Sequence, residues 1–131
     1  MFLDTSGLLA LLFRAEPQHQ AAAALYLGRQ LRITHNIVIA ELIALAEARN
    51  YPRTPILDFV TDLIQHPTIE IVWVDEHLTK EALVLLRARP DKSYSLCDAI
   101  SFLLMHDHDV FEALTTDRHF EQEGFVRLLA A

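Results

Sequence analysis

The chain has 131 residues, 52% of them hydrophobic and 22% charged, with three glycines, five prolines and a net charge of −7. This length and apolar content point to one domain, residues 1–131, with chain enough for a buried core, and they exclude disorder and a loop-rich all-β fold. Cys97 is the only cysteine, no basic stretch introduces an apolar leader, and charge breaks every apolar run well short of the ~18 residues a bilayer needs, so the expected setting is cytoplasmic with no membrane.

Residues 1–4 read as a strand, and 6–14 as a helix that is apolar on nearly every side. Pro17 suits the first position of a helix running to about Leu27, with a stop at Gly28. Residues 31–34 form a short strand, followed by a strongly apolar helix over 36–49 that Tyr51-Pro52 ends. Thr54-Pro55 reads as an N-cap with proline at the first helical position, opening a helix to about Gln65. Residues 69–74 are rich in β-branched and aromatic side chains, hence a strand, and Asp75 caps a helix to about Arg89. Ser95 and Asp98 have capping-box spacing ahead of a helix over 96–107. Residues 112–115 make a strand, Asp117 opens a short helix, and 125–127 close as a fifth strand. Alternating strands and helices predict an α/β fold, a parallel sheet with helices on both faces. Asp4 and Asp117 then fall just past strand ends on one sheet edge, where open α/β sheets build their sites.

Four acids stand in odd places. Asp4 and Asp117 each have an ordinary reading as helix N-caps. Asp98 has one too, at the third position of its helix, although the helix dipole also suits an anion facing a cleft there. Glu41 lies in Ile37-Val38-Ile39-Ala40-Glu41-Leu42-Ile43-Ala44-Leu45, a helix expected to be buried nearly all round. A buried carboxylate needs a partner, which would be an arginine such as Arg14 or a metal. Four carboxylates in one cleft could not all ionise without a cation, and an all-oxygen donor set favours Mg²⁺ or Mn²⁺ over Zn²⁺. Sites of this kind hydrolyse phosphodiesters.

The motifs carrying these acids resemble those of PIN-domain nucleases, and more narrowly of VapC-type toxins from type II toxin–antitoxin pairs. FLDTSGLLALL carries Asp4 and Thr5, THNIVIAEL carries Glu41, SLCDAISFLLM carries Asp98, and LTTDRHFEQEGF carries Thr116 and Asp117. Any one is weak evidence; four in order, from Met1 to about residue 127, are specific. The resemblance implies a PIN-like three-layer sandwich around a five-stranded parallel sheet in the order 3-2-1-4-5. It further implies Mg²⁺- or Mn²⁺-dependent endoribonuclease activity, a homodimer, and inhibition by a small antitoxin. On this reading Asp4, Glu41 and Asp98 hold the cation, Asp117 completes the cluster, and Thr5 and Thr116 fix the carboxylates by hydrogen bonds. Lys92 and Arg118, beside two of the acids in sequence, are weaker candidates for contacting the RNA phosphates.

Other features carry less. Glu121 and the paired His106 and His108 read as solvated surface, Cys97 as a small core residue, and His119 as close to Asp117 but not a ligand. The Leu- and Ala-rich segments 6–14 and 17–27 are ordinary core or a groove for an antitoxin helix, a partner whose basic residues would suit the acidic balance. Alternatives to the toxin are a housekeeping RNA-processing nuclease without an antitoxin and a catalytically silent PIN-like binding module; the presence of all four acids argues against the second. An aspartyl-phosphate hydrolase needs a second aspartate where Ser6 stands. A receiver domain using Asp75 needs an acidic pair after strand one and a late lysine; only Asp4 is there, and no lysine follows Lys92. Glycine occurs only at 7, 28 and 124, which leaves no P-loop or dinucleotide fingerprint.

Overall fold

A computed structural model describes residues 1–29 and 31–130. The elements in chain order are β1 (Phe2–Leu3), α1 (Thr5–Leu12), α2 (His19–Leu27), β2 (Arg32–His35), α3 (Asn36–Ala48), α4 (Arg53–Gln65), β3 (Ile69–Val72), α5 (Glu76–Arg87), α6 (Leu96–Asp107), β4 (Glu112–Leu114), α7 (Arg118–Gln122) and β5 (Val126–Arg127). All five strands are parallel, in the order β3-β2-β1-β4-β5.

The crossovers explain the layers. From β1 the chain steps outward to β2 and β3, then returns across β1 to β4 and β5. Right-handed crossovers in opposite directions put α1–α4 on one face and α5–α7 on the other. The helix contacts follow that division: α1 meets α2 and α3, α3 meets α4, and α6 meets α5 and α7. The reversal between β1 and β4 opens a crevice at the carboxyl ends of those strands. β1 is only two residues long, yet Phe2 and Leu3 are fully buried and pair with strands on both sides.

Element types agree with the sequence expectations, and the departures lie at the ends of helices and strands. α2 begins at His19 rather than at Pro17, because a turn closed by His19 N–H on the Glu16 carbonyl (3.0 Å) intervenes. Pro55 sits inside α4 rather than opening it, behind Arg53 and Thr54. The first turn has no intrahelical use for that N–H, so proline is tolerated there. Trp73 and Val74 fall outside β3. Asp75 caps α5 through Leu78 N–H (2.8 Å), and the Ser95–Asp98 capping box is present at α6.

His35 joins β2 to the helix that carries Asp98. Its Nδ1 accepts the Val38 amide (3.3 Å), so Nε2–H donates to the Ser101 hydroxyl (2.9 Å), which donates to the Cys97 carbonyl (2.8 Å). Burial holds this imidazole down at about 4. The unfolded chain therefore takes up the proton first. Stability due to neutral His35 is complete above pH 6.5 and is lost as pH falls toward 4, by up to about 3 kcal/mol. Chemical denaturation across that range should show the loss, and His35→Asn, which keeps a competent N-cap, should remove that part of the slope.

Among the described residues no helix is long and apolar enough to cross a membrane.

Candidate active site

The crevice at the β1–β4 edge is a cleft of about 430 Å³, and Asp4, Glu41, Asp98 and Asp117 all line it. A larger concavity of about 760 Å³, lined by Met1, Arg32 and Ile69 among others, lies at the opposite ends of the strands and holds none of these acids.

Asp4 follows β1 directly and occupies the N-cap position of α1, but its carboxylate makes no helix-capping hydrogen bond. The capping reading therefore does not account for it. Oδ2 accepts instead from the Thr115 hydroxyl at 2.7 Å, 111 residues away. Asp4 is 7% exposed, and its carboxyl is pushed up to about 7. Burial is the largest cause; hydrogen bonds from Thr115 and the Thr5 backbone pull it back, and the charges of Asp98 and Asp117 raise it further.

The threonine that serves the carboxylates is thus Thr115, where the sequence suggested Thr116. Successive residues past β4 face opposite ways. Thr115 is fully buried against Asp4, while the Thr116 amide donates to Ser6 Oγ (3.0 Å) and its carbonyl accepts from Arg127 (3.1 Å). Thr115 spends its one proton on Asp4, so the Ser6 hydroxyl, 3.2 Å away, is the donor to it. The Asp117 amide fills the remaining lone pair at 3.0 Å. Ser6 and Thr115 together clamp β1 to β4 beneath the acids. Neither was singled out by sequence, and their only signal is adjacency to Asp4 and Asp117. Thr115→Val should cost about 2 kcal/mol and strip Asp4 of its donor, lowering activity. Thr115→Ser should restore both, read by thermal melting and cleavage.

Asp98 is 8% exposed at the start of α6. Its Oδ2 accepts the Ser95 amide (3.0 Å) and His119 Nδ1 (2.8 Å). Asp117 caps α7 through the His119 amide (2.9 Å), as its ordinary reading requires, and its Oδ1 also lies 3.5 Å from His119 Nδ1. His119 Nε2 meets Ser93 Oγ at 3.3 Å, and the Tyr94 ring packs edge-on against the imidazole. His119 is therefore a cleft residue in contact with two of the acids. One ligand atom each from Asp98, Asp117 and His119 lie within 4.8 Å of one another, a donor set that fits a divalent cation.

Glu41 departs from expectation. It is exposed on α3 rather than buried, and among the described residues it forms no ion pair with Arg14, itself exposed. α3 turns Val38, Ile39, Leu42 and Ala46 into the core and leaves Ala40, Glu41 and Ala44 exposed, with Glu41 at the cleft. The Thr5 hydroxyl reaches the Glu41 carboxylate at 3.4 Å, the contact expected of Thr5. Cys97 is buried, its thiol pushed up by burial and by the Glu41 and Asp4 charges.

Lys92 and Arg118 do not line the cleft; Lys92 lies 3.5 Å from Asp91, and Arg118 is exposed. Glu121 pairs with Arg127 (2.8 Å), and His106 and His108 are exposed at the end of α6. The loop carrying Ser93 and Ser95 is pinned to α7 by Glu123, which accepts from Arg89 (2.9 and 3.1 Å) and Tyr94 (3.1 Å).

A search of curated proteins finds no match. Among solved structures the fold is similar to Mycobacterium tuberculosis VapC20, a toxin that cleaves the sarcin–ricin loop, with a TM-score of 0.87, 26% identity and 95% of each chain covered. The sequence profile of the PIN domain matches residues 1–125. Because that profile runs through every strand but the last and takes in all four acid-bearing motifs, the chain belongs to the PIN domain family.

Proposed function

We propose that this protein is a Mg²⁺- or Mn²⁺-dependent endoribonuclease, the toxin of a toxin–antitoxin pair. The observation that carries the reading is the convergence of four carboxylates from β1, α3, α6 and the end of β4 on one cleft, one of them buried and held near neutral pKa. Similarity to a sarcin–ricin-loop-cleaving toxin over 95% of both chains supports RNA as substrate.

Asp4, Glu41, Asp98 and Asp117 would hold the cation, directly or through water. When bound, it supplies Lewis-acid stabilisation of the scissile phosphate and activation of water. A carboxylate of the cluster would accept the proton released as a water attacks phosphorus, and the departing oxygen would take its proton from solvent. Thr115 holds Asp4 in one rotamer and Thr5 steadies Glu41, so the donors are pre-arranged. With a net charge of −7, the molecule suits a small antitoxin that brings basic residues to the acidic cleft. A homodimer is the expected assembly.

The test is cleavage of a mixed RNA pool by antitoxin-free protein with Mg²⁺, Mn²⁺ or EDTA, beside Asp98→Asn. Cleavage that needs metal and is lost in the folded variant is the expected result. A fully active Asp98→Asn protein, or cleavage unaffected by EDTA, would overturn the assignment.

A further inference from the structure

We propose that His119 is itself a metal ligand, joining Asp98 and Asp117 at one cation position whose nitrogen donor favours a first-row transition ion, Mn²⁺, over Mg²⁺. This rests on the reading of the cleft as a divalent-cation site and goes beyond it by adding a donor of a different chemical kind.

The geometry is specific. His119 Nδ1 lies 2.8 Å from Asp98 Oδ2 and 3.5 Å from Asp117 Oδ1, and all three residues line the cleft. Ligand atoms sharing one ion at about 2.1 Å stand at most ~4 Å apart, so these three need little movement to close on a common centre. The far side of the ring is already served. Without an ion, Nδ1–H donates to Asp98; Ser93 Oγ, 3.3 Å from Nε2, can accept the proton of the other tautomer, so that Nδ1 would offer its lone pair to a cation. Ligating histidines ordinarily carry such a partner on the second nitrogen.

Three further contacts hold the ring in place. The His119 amide is tied to Asp117 Oδ1 at 2.9 Å. Tyr94 packs against its face, and Glu123 fixes Tyr94 through its hydroxyl (3.1 Å). Mg²⁺ takes hard oxygen donors, whereas a neutral imidazole is a better ligand for first-row transition ions. Adding one nitrogen to an otherwise all-oxygen site therefore shifts its preference without changing its place.

The competing role for His119 is a cationic counter-ion that calms two carboxylates until metal displaces it. The two roles predict opposite results. A ligand lost weakens Mn²⁺ binding; a competing counter-ion lost leaves Mn²⁺ and Mg²⁺ binding unchanged or tighter.

The experiment titrates MnCl₂ and MgCl₂ into the RNA-free wild-type protein, His119→Gln and His119→Asn by calorimetry. Pulsed EPR of the Mn²⁺-loaded samples reads ¹⁴N coupling. Wild type should bind Mn²⁺ about tenfold more tightly than Mg²⁺ and show imidazole nitrogen coupling to the ion. Both variants should lose about tenfold in Mn²⁺ affinity and the nitrogen signal, with Mg²⁺ affinity within about twofold of wild type. Absence of nitrogen coupling in Mn²⁺-loaded wild type would overturn the inference whether or not the variants fold. So would equal losses for both ions, or variants that bind as tightly as wild type. RNA cleavage in Mn²⁺ by the same wild-type sample separates the two readings. Cleavage without nitrogen coupling sinks the ligand and keeps the nuclease, and nitrogen coupling without cleavage of any RNA does the reverse.

Discussion

Asp4→Asn is expected to abolish RNA cleavage and, in the same molecule, to stabilise the metal-free fold above neutral pH. Asparagine keeps the shape of the side chain and an oxygen for the Thr115 hydroxyl, now 2.7 Å from Oδ2, so the clamp between β1 and β4 survives. What disappears is a charge in a site that is costly without a cation. The folded carboxyl sits near 7 against an ordinary value of 3.8, mainly through burial. A group raised in this way stabilises the fold fully below pH 3.8, and that contribution is lost as pH rises through 7. The penalty on the metal-free wild type reaches on the order of 4 kcal/mol at high pH. Divalent cation should recover it by binding the folded state alone. Asp4→Asn should show neither the loss between pH 3.8 and 7 nor the rescue by cation, and cleavage should fall on the order of 100-fold or more. Denaturation at pH 5 and pH 8, with and without MnCl₂, reads the first two, and a cleavage assay reads the third. Because His35 loses stability in the opposite direction, as pH falls, the two slopes are separated by comparing each variant with wild type. Wild-type cleavage by Asp4→Asn, or an unchanged slope between pH 3.8 and 7, would sink the role given to this residue.

How much of this was legible in the sequence depended on how local the signal was. Strand ends and caps are local. The run Phe2-Leu3-Asp4, the Ser95–Asp98 box and the cap at Asp117 each declare themselves within a few residues, and each stands where expected. The meeting of Asp4 with Asp117 followed from parallel strands sharing an edge. The orientation of Glu41 was not legible, because α3 is apolar on nearly every side and gives no periodic contrast from which to choose its outer face. Thr115 and Thr116 are neighbours of one type, and only the register of β4 against β1, with Leu3 opposite Leu114, turns the first toward Asp4. His119 looked like a bystander since it is two residues from Asp117. Its role in the cleft comes from Asp98, 21 residues away on another helix. Contacts that need two elements to dock are the ones one-dimensional spacing does not reveal.

Gly7→Ala should be the most damaging single-methyl change in the chain, though alanine is the better helix former by about 1 kcal/mol. Gly7 lies in the first turn of α1, where the helix backs directly onto β4. A Cβ at this position would stand 2.0 Å from the Leu114 carbonyl oxygen and 2.7 Å from its carbonyl carbon. Those are backbone atoms of a strand paired on both sides, so neither can step aside as a flexible side chain would. Relief requires α1 to lift off the sheet. That movement would drag Ser6 from Thr115 and Thr5 from Glu41, undoing the hydrogen bonds that floor the cleft. Overpacking of this severity costs about 3 kcal/mol or more and outweighs the gain in helix propensity. A fall in Tm of about 10 °C or more, or loss of soluble protein, is expected, together with loss of cleavage. Gly28→Ala is the internal control. Gly28 ends α2 at φ −81, and the nearest atom to a new Cβ is 3.6 Å away. That variant should melt within about 2 °C of wild type and cleave normally. Equal behaviour of the two alanine variants would mean that α1 does not rest on the β4 backbone as described, and the positioning of Asp4, Thr5 and Ser6 would need another explanation.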